Sequence, residues 1–165
     1  MIGSIFARAV QFWHLRAIVV AVWVSVSPNA ARSPDADAIA DVIAQSVSYD
    51  AAPVYDSQEL EAGAMARWAF EESGVRLHPR PYSWDSKAGI ANGVWQIHGP
   101  AGRADLGTQA AAWLRLAHAG VGCKNPIAPL SGQCGGLALR NADKRMRDVR
   151  RVLSDMRSEN AEVAQ

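Results

Sequence analysis

A helix break at Ser73-Gly74 is the sequence feature that most restricts how this chain folds. Before it, apolar residues recur at helical spacing from Leu60 to Trp68, and Asp56-Ser57 offers a side-chain acceptor where a helix would begin. Glycine tolerates the left-handed backbone that closes a helix, so the helix is predicted to end there. Residues 75–92, which follow the break, contain prolines and a glycine, and this composition predicts a loop or a short β excursion.

Glu72 is the candidate general acid. It lies four residues after Trp68 and therefore above the same face of the predicted helix, whereas Glu71 is rotated away from that face. A carboxyl group at a helix end, set against apolar side chains, has a raised pKa and can donate a proton. The alternative interpretation is that Glu71 and Glu72 form a solvated acidic pair.

The run Glu72-Ser73-Gly74, followed about twenty residues later by Gly93-Val94-Trp95-Gln96-Ile97, resembles the E-S and G-L-M-Q-I signature of the lytic transglycosylase and goose-type lysozyme superfamily. The resemblance covers Leu60 to Leu153. It implies a mainly α-helical, lysozyme-like single domain with a short loop or β excursion beside the cleft. It also implies that Glu72 is the catalytic acid and base. The residues then expected to bind substrate are Ser73, Trp84, Gly93, Trp95 and Gln96.

The chain contains six tryptophans, and four of them lie within the predicted domain. Trp68 and Trp113 lie on predicted helices, where packing in the core and contact with a glycan are both open. Trp84 and Trp95 lie in loop-like surroundings, which favours a role in stacking on a sugar.

The reaction that the resemblance implies is cleavage of the β-1,4 bond between N-acetylmuramic acid and N-acetylglucosamine in peptidoglycan strands, without a metal or an organic cofactor. Asp85 is either an assisting carboxylate, as a hydrolytic lysozyme would need, or a turn residue that caps Ser86-Lys87. Glu72 is the one dependable carboxylate, so the 6-hydroxyl of the muramic acid, rather than an activated water, is expected to attack C1. The predicted products therefore carry 1,6-anhydromuramic ends.

One part of the family pattern is missing. The family carries a tyrosine motif before the last helix, and here Pro129-Leu130-Ser131-Gly132 takes that place. Tyr82 is a candidate substitute. The alternatives are weak activity, a peptidoglycan-binding protein without catalysis, or a helical envelope protein in which both motifs are coincidental.

Residues 1–31 predict an export signal. Arg8 and Arg16 supply positive charge, and Ala17 to Val26 is an apolar run too short to span a bilayer comfortably. The alternative is an uncleaved membrane anchor that begins near Phe12. Either interpretation predicts an exported domain, periplasmic or secreted. Three further segments are predicted: an N-terminal arm at 32–56 with a helix from Asp35 to Ser48, the lysozyme-like domain at 57–157, and a frayed tail at 158–165.

The rest of the sequence adds a possible cross-link and excludes one class of partner. Cys123 and Cys134 bracket a proline-containing loop, and two such cysteines in an exported protein predict a disulfide. A net charge of +1 gives no reason to expect a nucleic-acid partner. Further helices are predicted from Asp105 or Thr108 to Gly120, and from Asn141 to about Glu159. His118 is interpreted as a surface residue rather than a metal ligand.

Overall fold

The computed structural model describes residues 2–79, 91–120 and 136–163. It is mainly helical, as predicted, with five α-helices and a two-stranded hairpin in the described ranges. The helices are α1 (Ile2–Val26), α2 (Ala36–Ser48), α3 (Gln58–Ser73), α4 (Leu106–Ala119) and α5 (Gly136–Val163). The strands are β1 (Ala91–Asn92) and β2 (Ile97–His98), and short 3-10 helices cover Ala30–Arg32 and Pro100–Arg103.

Helix α3 lies at the centre of the fold, in contact with α1, α2 and α5. The hydroxyl oxygen of Ser57 accepts a hydrogen bond from the Leu60 amide at 3.2 Å and caps the first turn. Gly74 closes the last turn with φ +63°, and its amide donates to the Phe70 carbonyl at 2.9 Å. Both predicted ends of the helix are therefore confirmed, because each is determined by a local capping residue.

Small residues allow helix α5 to approach α3 closely. A Cβ atom placed on Gly63 would lie 2.3 Å from Cγ1 of Val149, so only glycine fits at this crossing. Met146, Val149 and Leu153 of α5 are buried, which agrees with the apolar stripe in the sequence. Helix α5 is longer than predicted at both ends, and it continues through Ser158, where a frayed tail was expected. Helix-favouring alanine and glutamate residues explain this extension at its C-terminal end.

Helix α1 packs against the domain on one face. Leu15, Ile18 and Val19 are fully buried, and the indole N–H of Trp23 donates to the Ala66 carbonyl of α3 at 2.9 Å. The segment from Ala7 to Val26 is also long and apolar enough to cross a membrane, and most of its residues are not buried inside the protein. The chain thus has the N-terminal apolar helix that an export signal or an anchor requires, and this helix also belongs to the core.

A short hairpin lies beside α3, and it shares only Ala91-Asn92 with the predicted excursion at 75–92, most of which lies outside the described residues. Strands β1 and β2 are antiparallel, with Ala91 paired to His98 and Asn92 paired to Ile97. The turn between them is residues 93–96, and it contains two positive φ angles, +76° at Gly93 and +48° at Gln96. Helix α4 follows, with Asp105 as its N-terminal cap: its carboxylate accepts from the Thr108 amide at 2.9 Å.

Candidate active site at the end of helix α3

Glu72 lies in the last turn of α3 and faces helix α5. Its side chain is about one-third exposed, and its Oε1 lies 4.0 Å from Nη2 of Arg145. The Arg145 guanidinium also lies 3.9 Å above the ring of Trp68, where the face of the indole attracts a cation. One arginine therefore contacts both Trp68 and Glu72, so the two residues share a face of the helix, as their spacing predicts.

The surroundings of Glu72 favour its protonated form. Burial raises the pKa of Glu72 above its ordinary value, the positive charge of Arg145 lowers it, and the negative charge of Glu71 raises it again. Burial is the largest of these effects because it removes water from the charged form. A carboxyl group in this state keeps its proton to a higher pH than a solvated glutamate, as a general acid must.

Glu71 has a different environment although it is the next residue. Its carboxylate pairs with Arg67 one turn earlier at 2.5 Å, and the side chain is 37% exposed. Nε of Arg67 also lies 3.5 Å from Asp148 of α5. Glu71 therefore belongs to a chain of structural ion pairs, and Glu72 is the better candidate for proton transfer.

The hairpin turn is attached to α3 by Trp95. Its indole N–H donates to the Met65 carbonyl at 3.0 Å. On its other side, the Val94 amide donates to Oε1 of Gln109 at 2.9 Å. Met65 precedes Glu72 by seven residues, so the turn is held about 10 Å along the helix axis from the carboxyl group.

The predicted sugar-stacking role of Trp95 is wrong. Only 2% of this residue is exposed, because the ring inserts beneath the hairpin against α3, and a sugar cannot reach its face. The loop-like sequence around Trp95 gives no sign of this burial. Trp68 and Trp113 are buried as well, so both belong to the core rather than to an exposed glycan surface.

Ser73 and Gly93 have structural roles that explain their presence without a ligand. The Ser73 hydroxyl donates to the Ala69 carbonyl at 2.8 Å and accepts from the Arg76 amide at 3.3 Å, so it completes the end of α3. A Cβ atom on Gly93 would lie 2.6 Å from the Gly102 carbonyl oxygen, in a backbone with φ +76°. The expectation that either residue binds substrate directly is therefore not supported.

Gln96 is the hairpin residue with an unused polar group. Its Nε2 donates to the Gly93 carbonyl at 3.1 Å, which holds the side chain across the turn. Its Oε1 is buried and has no hydrogen-bond partner among the described residues. Buried acceptors without a partner are uncommon, and because this one is enclosed a sugar hydroxyl would reach it only if the turn moved.

A second polar cluster was missed in the sequence. Asp50, Glu61 and His118 come together at the opposite end of α3 from Glu72, and Glu61 is fully buried. Burial raises the pKa of Glu61 to about 7, against the lowering effect of the hydrogen bond from the Val54 amide and with a smaller contribution from the charge of Asp50. A signal existed: Glu61 precedes Trp68 by seven residues, so it lies on the apolar stripe where a carboxylate is unexpected.

Two of the cavities in the described part of the chain lie near the two ends of α3, and Glu72 lines neither of these two. One of about 260 Å³ lies beside the C-terminal end of α3, between Phe70, Gly74 and the segment from Ser27 to Pro34. The other, of about 510 Å³, lies between Leu60 and the C-terminal half of α5.

Five of the predicted residues lie outside the described ranges. They are Tyr82, Trp84, Asp85, Cys123 and Cys134. Their predicted roles, as an assisting tyrosine, a sugar-stacking ring, an assisting carboxylate and a disulfide, stay predictions.

Comparisons with protein-family models, with curated proteins and with solved structures find no match to this chain. What supports a function is therefore the geometry of its own residues.

Proposed function

We propose that this chain is a peptidoglycan-cleaving enzyme of the lytic transglycosylase type, with Glu72 as its acid and base. The observation that supports this most is a partly buried carboxyl group, with a raised pKa, in the last turn of a central helix. The motif resemblance assigns the same residue to the same role.

In the first half of the reaction, Glu72 donates its proton to the glycosidic oxygen between N-acetylmuramic acid and N-acetylglucosamine. The bond from this oxygen to C1 of the muramic acid breaks, and positive charge develops on that sugar. The Glu72 carboxylate that forms faces the Arg145 guanidinium, whose charge stabilises it.

In the second half, the Glu72 carboxylate takes the proton of the 6-hydroxyl of the same muramic acid. The freed oxygen attacks C1 and closes a 1,6-anhydro ring, so Glu72 regains its proton and no water is consumed. This attack is intramolecular and gains from proximity. It needs one carboxyl group, which fits a site where Glu71 is engaged by Arg67.

The proposed substrate lies outside the cytoplasm, so the proposal includes export. The apolar helix α1 would direct the chain to the membrane, and the domain would act in the periplasm or after secretion. The burial of Leu15, Ile18 and Trp23 within the protein favours retention of α1 over its removal as a cleaved signal.

Digestion of purified cell-wall sacculi by the full-length protein, followed by mass spectrometry of the released glycan, tests the proposal. We expect muropeptides with 1,6-anhydromuramic ends. Products heavier by one water would make the enzyme a hydrolytic lysozyme and would assign Asp85 a working role. Intact sacculi with bound protein would contradict catalysis and favour the glycan-binding alternative, which the missing tyrosine motif already suggests.

A further inference from the structure

Three elements bring together a mixed set of metal-ligand side chains. Asp50 follows α2, Glu61 lies in α3 and His118 lies in the last turn of α4. One donor atom from each residue lies within 4.8 Å of the other two. The closest pair is Nε2 of His118 and Oδ2 of Asp50, which are 2.7 Å apart.

Both carboxylates are oriented by backbone amides. Oδ1 of Asp50 accepts from the Ala52 amide at 3.0 Å, and Oε1 of Glu61 accepts from the Val54 amide at 3.0 Å. Each carboxylate is therefore oriented through one oxygen; the other oxygen of Asp50 contacts His118, and the other oxygen of Glu61 has no N–H donor among the described residues. Metal-ligating carboxylates are commonly oriented in this way by a second layer of hydrogen bonds.

The other oxygen of Glu61 needs a partner. Oε2 is fully enclosed and receives no hydrogen bond from an N–H or hydroxyl group in the described part of the chain, so its partner is either a proton shared with Asp50 or a cation. A buried carboxylate oxygen without a partner is costly, and it persists where a proton or a cation satisfies it. This atom is the observation that separates the cluster from an ordinary surface group of acidic residues.

We propose that Asp50, Glu61 and His118 bind one divalent cation of the Zn²⁺ class. An imidazole nitrogen with two carboxylate oxygens suits Zn²⁺, whereas Mg²⁺ and Ca²⁺ prefer oxygen ligands alone. Around a tetrahedral Zn²⁺ the donor atoms would be about 3.3 Å apart, which follows from bonds of about 2.0 Å. The contact of 2.7 Å between His118 and Asp50 must widen slightly to reach this separation.

The position of His118 leaves room for a fourth ligand. Its side chain is 39% exposed, whereas the Asp50 side chain is 14% exposed and Glu61 is fully buried. The cluster thus opens to solvent on the α4 side, where a water molecule would complete the coordination. A bound cation would join α3 and α4 to the loop that follows α2.

This site is separate from the proposed active site. Glu61 and Glu72 are eleven residues apart on one helix, which corresponds to about 16 Å along its axis. Metal binding can therefore be tested without any measurement of activity on glycan. It also stands or falls independently of the role of Glu72.

The test is titration of the chelator-treated full-length protein with Zn²⁺, followed by calorimetry, with thermal unfolding measured in parallel. We expect one ion per chain and a higher unfolding temperature, because binding to the folded state alone stabilises it. Co²⁺ serves as a spectroscopic probe, with the visible absorption of a tetrahedral ion expected. Mg²⁺ should not reproduce the effect.

Variants locate the site. His118→Ala changes a surface position, so it should fold, and it should weaken Zn²⁺ binding more than tenfold. His14→Ala is the matched control, since Nε2 of His14 lies 3.5 Å from Oε1 of Glu59 in a two-residue pair that should not hold the ion. A variant with both cysteines changed to serine should still bind. Absence of Zn²⁺ binding, equal binding by His118→Ala, or loss of binding in a cysteine variant that keeps the wild-type circular dichroism spectrum would each overturn the proposal.

Discussion

Two adjacent glutamates differ in chemistry because they differ in their neighbours. Glu71 is held by Arg67, one turn earlier on the same helix, whereas Glu72 is half-buried opposite Arg145 of another helix. Burial opposes the ionisation of Glu72, and Arg145 limits how far its pKa rises. The balance between these effects sets the pH range in which Glu72 can donate a proton.

Replacement of Arg145 by methionine should shift that range. Arg145→Met removes the positive charge that lowers the pKa of Glu72, so the residue should stay protonated to a higher pH. We expect the alkaline limb of the profile of wall-lysis rate against pH to move upward. Arg147→Met, which removes an exposed charge two residues away, should leave the profile in place. An unchanged profile in Arg145→Met would contradict the assignment of Arg145 as the group that tunes Glu72.

At the scale of elements, the hairpin is fixed by hydrogen bonds to α3 and α4, and its turn is tightly packed at Gly93. Trp95 attaches it to α3, and Gln109 of α4 attaches it to the helix that follows. Gln109 also donates from Nε2 to the Ala104 carbonyl at 2.8 Å, so one side chain joins the turn to the chain before α4. The glycine at the start of the turn is what allows this close approach.

Gly93→Ala should therefore destabilise the protein more than Gly74→Ala. Both glycines have positive φ angles, +76° and +63°, so an alanine at either position costs about 1 kcal/mol of backbone strain. At Gly74 the new methyl group meets nothing within 4 Å, whereas at Gly93 it would lie 2.6 Å from the Gly102 carbonyl oxygen. This steric clash should lower the free energy of unfolding of Gly93→Ala by about 1–3 kcal/mol more, as expected for overpacking. Urea denaturation measures both, and equal midpoints would show that the turn is not packed in this way.

At the scale of the whole molecule, α3 is the element on which α1, α2 and α5 pack. The indole of Trp23 on α1 donates to a carbonyl of α3, and α5 packs against α3 at Gly63. The two polar sites lie at the two ends of α3. The N-terminal helix is part of this arrangement. A chain without α1 would expose apolar side chains of α2 and α3.

Two tryptophans on α1 test whether that helix belongs to the fold. Trp23 is fully buried, whereas Trp13 is 62% exposed on the same helix. We expect Trp23→Ala to lower the free energy of unfolding by about 3–5 kcal/mol. Trp13→Ala should change it by no more than about 0.5 kcal/mol. Chemical denaturation of the full-length chain, followed by far-ultraviolet circular dichroism, measures both. Equal stability of the two variants would show that α1 does not pack on the domain.

The sequence predicts those features that depend on residues close together in the chain. Ser57 and Gly74 mark the ends of α3 because capping acts within one turn, and helical spacing places Glu72 above Trp68. The sequence does not predict contacts between segments that are distant along the chain. Arg145 opposite Glu72 depends on how α5 crosses α3, and the burial of Trp95 depends on how the hairpin folds over α3. The joining of Asp50, Glu61 and His118 from three elements could not be read from spacing for the same reason.

Replacement of Glu72 by glutamine tests the central claim most directly. Glu72→Gln keeps the size and hydrogen bonding of the side chain and removes the transferable proton. We expect the rate at which purified sacculi lose turbidity to fall by at least about 100-fold, with folding and sedimentation with sacculi retained. Glu71→Gln, the adjacent control, should stay close to the wild-type rate. Lysis by Glu72→Gln at the wild-type rate would contradict the assignment of Glu72 as the catalytic acid.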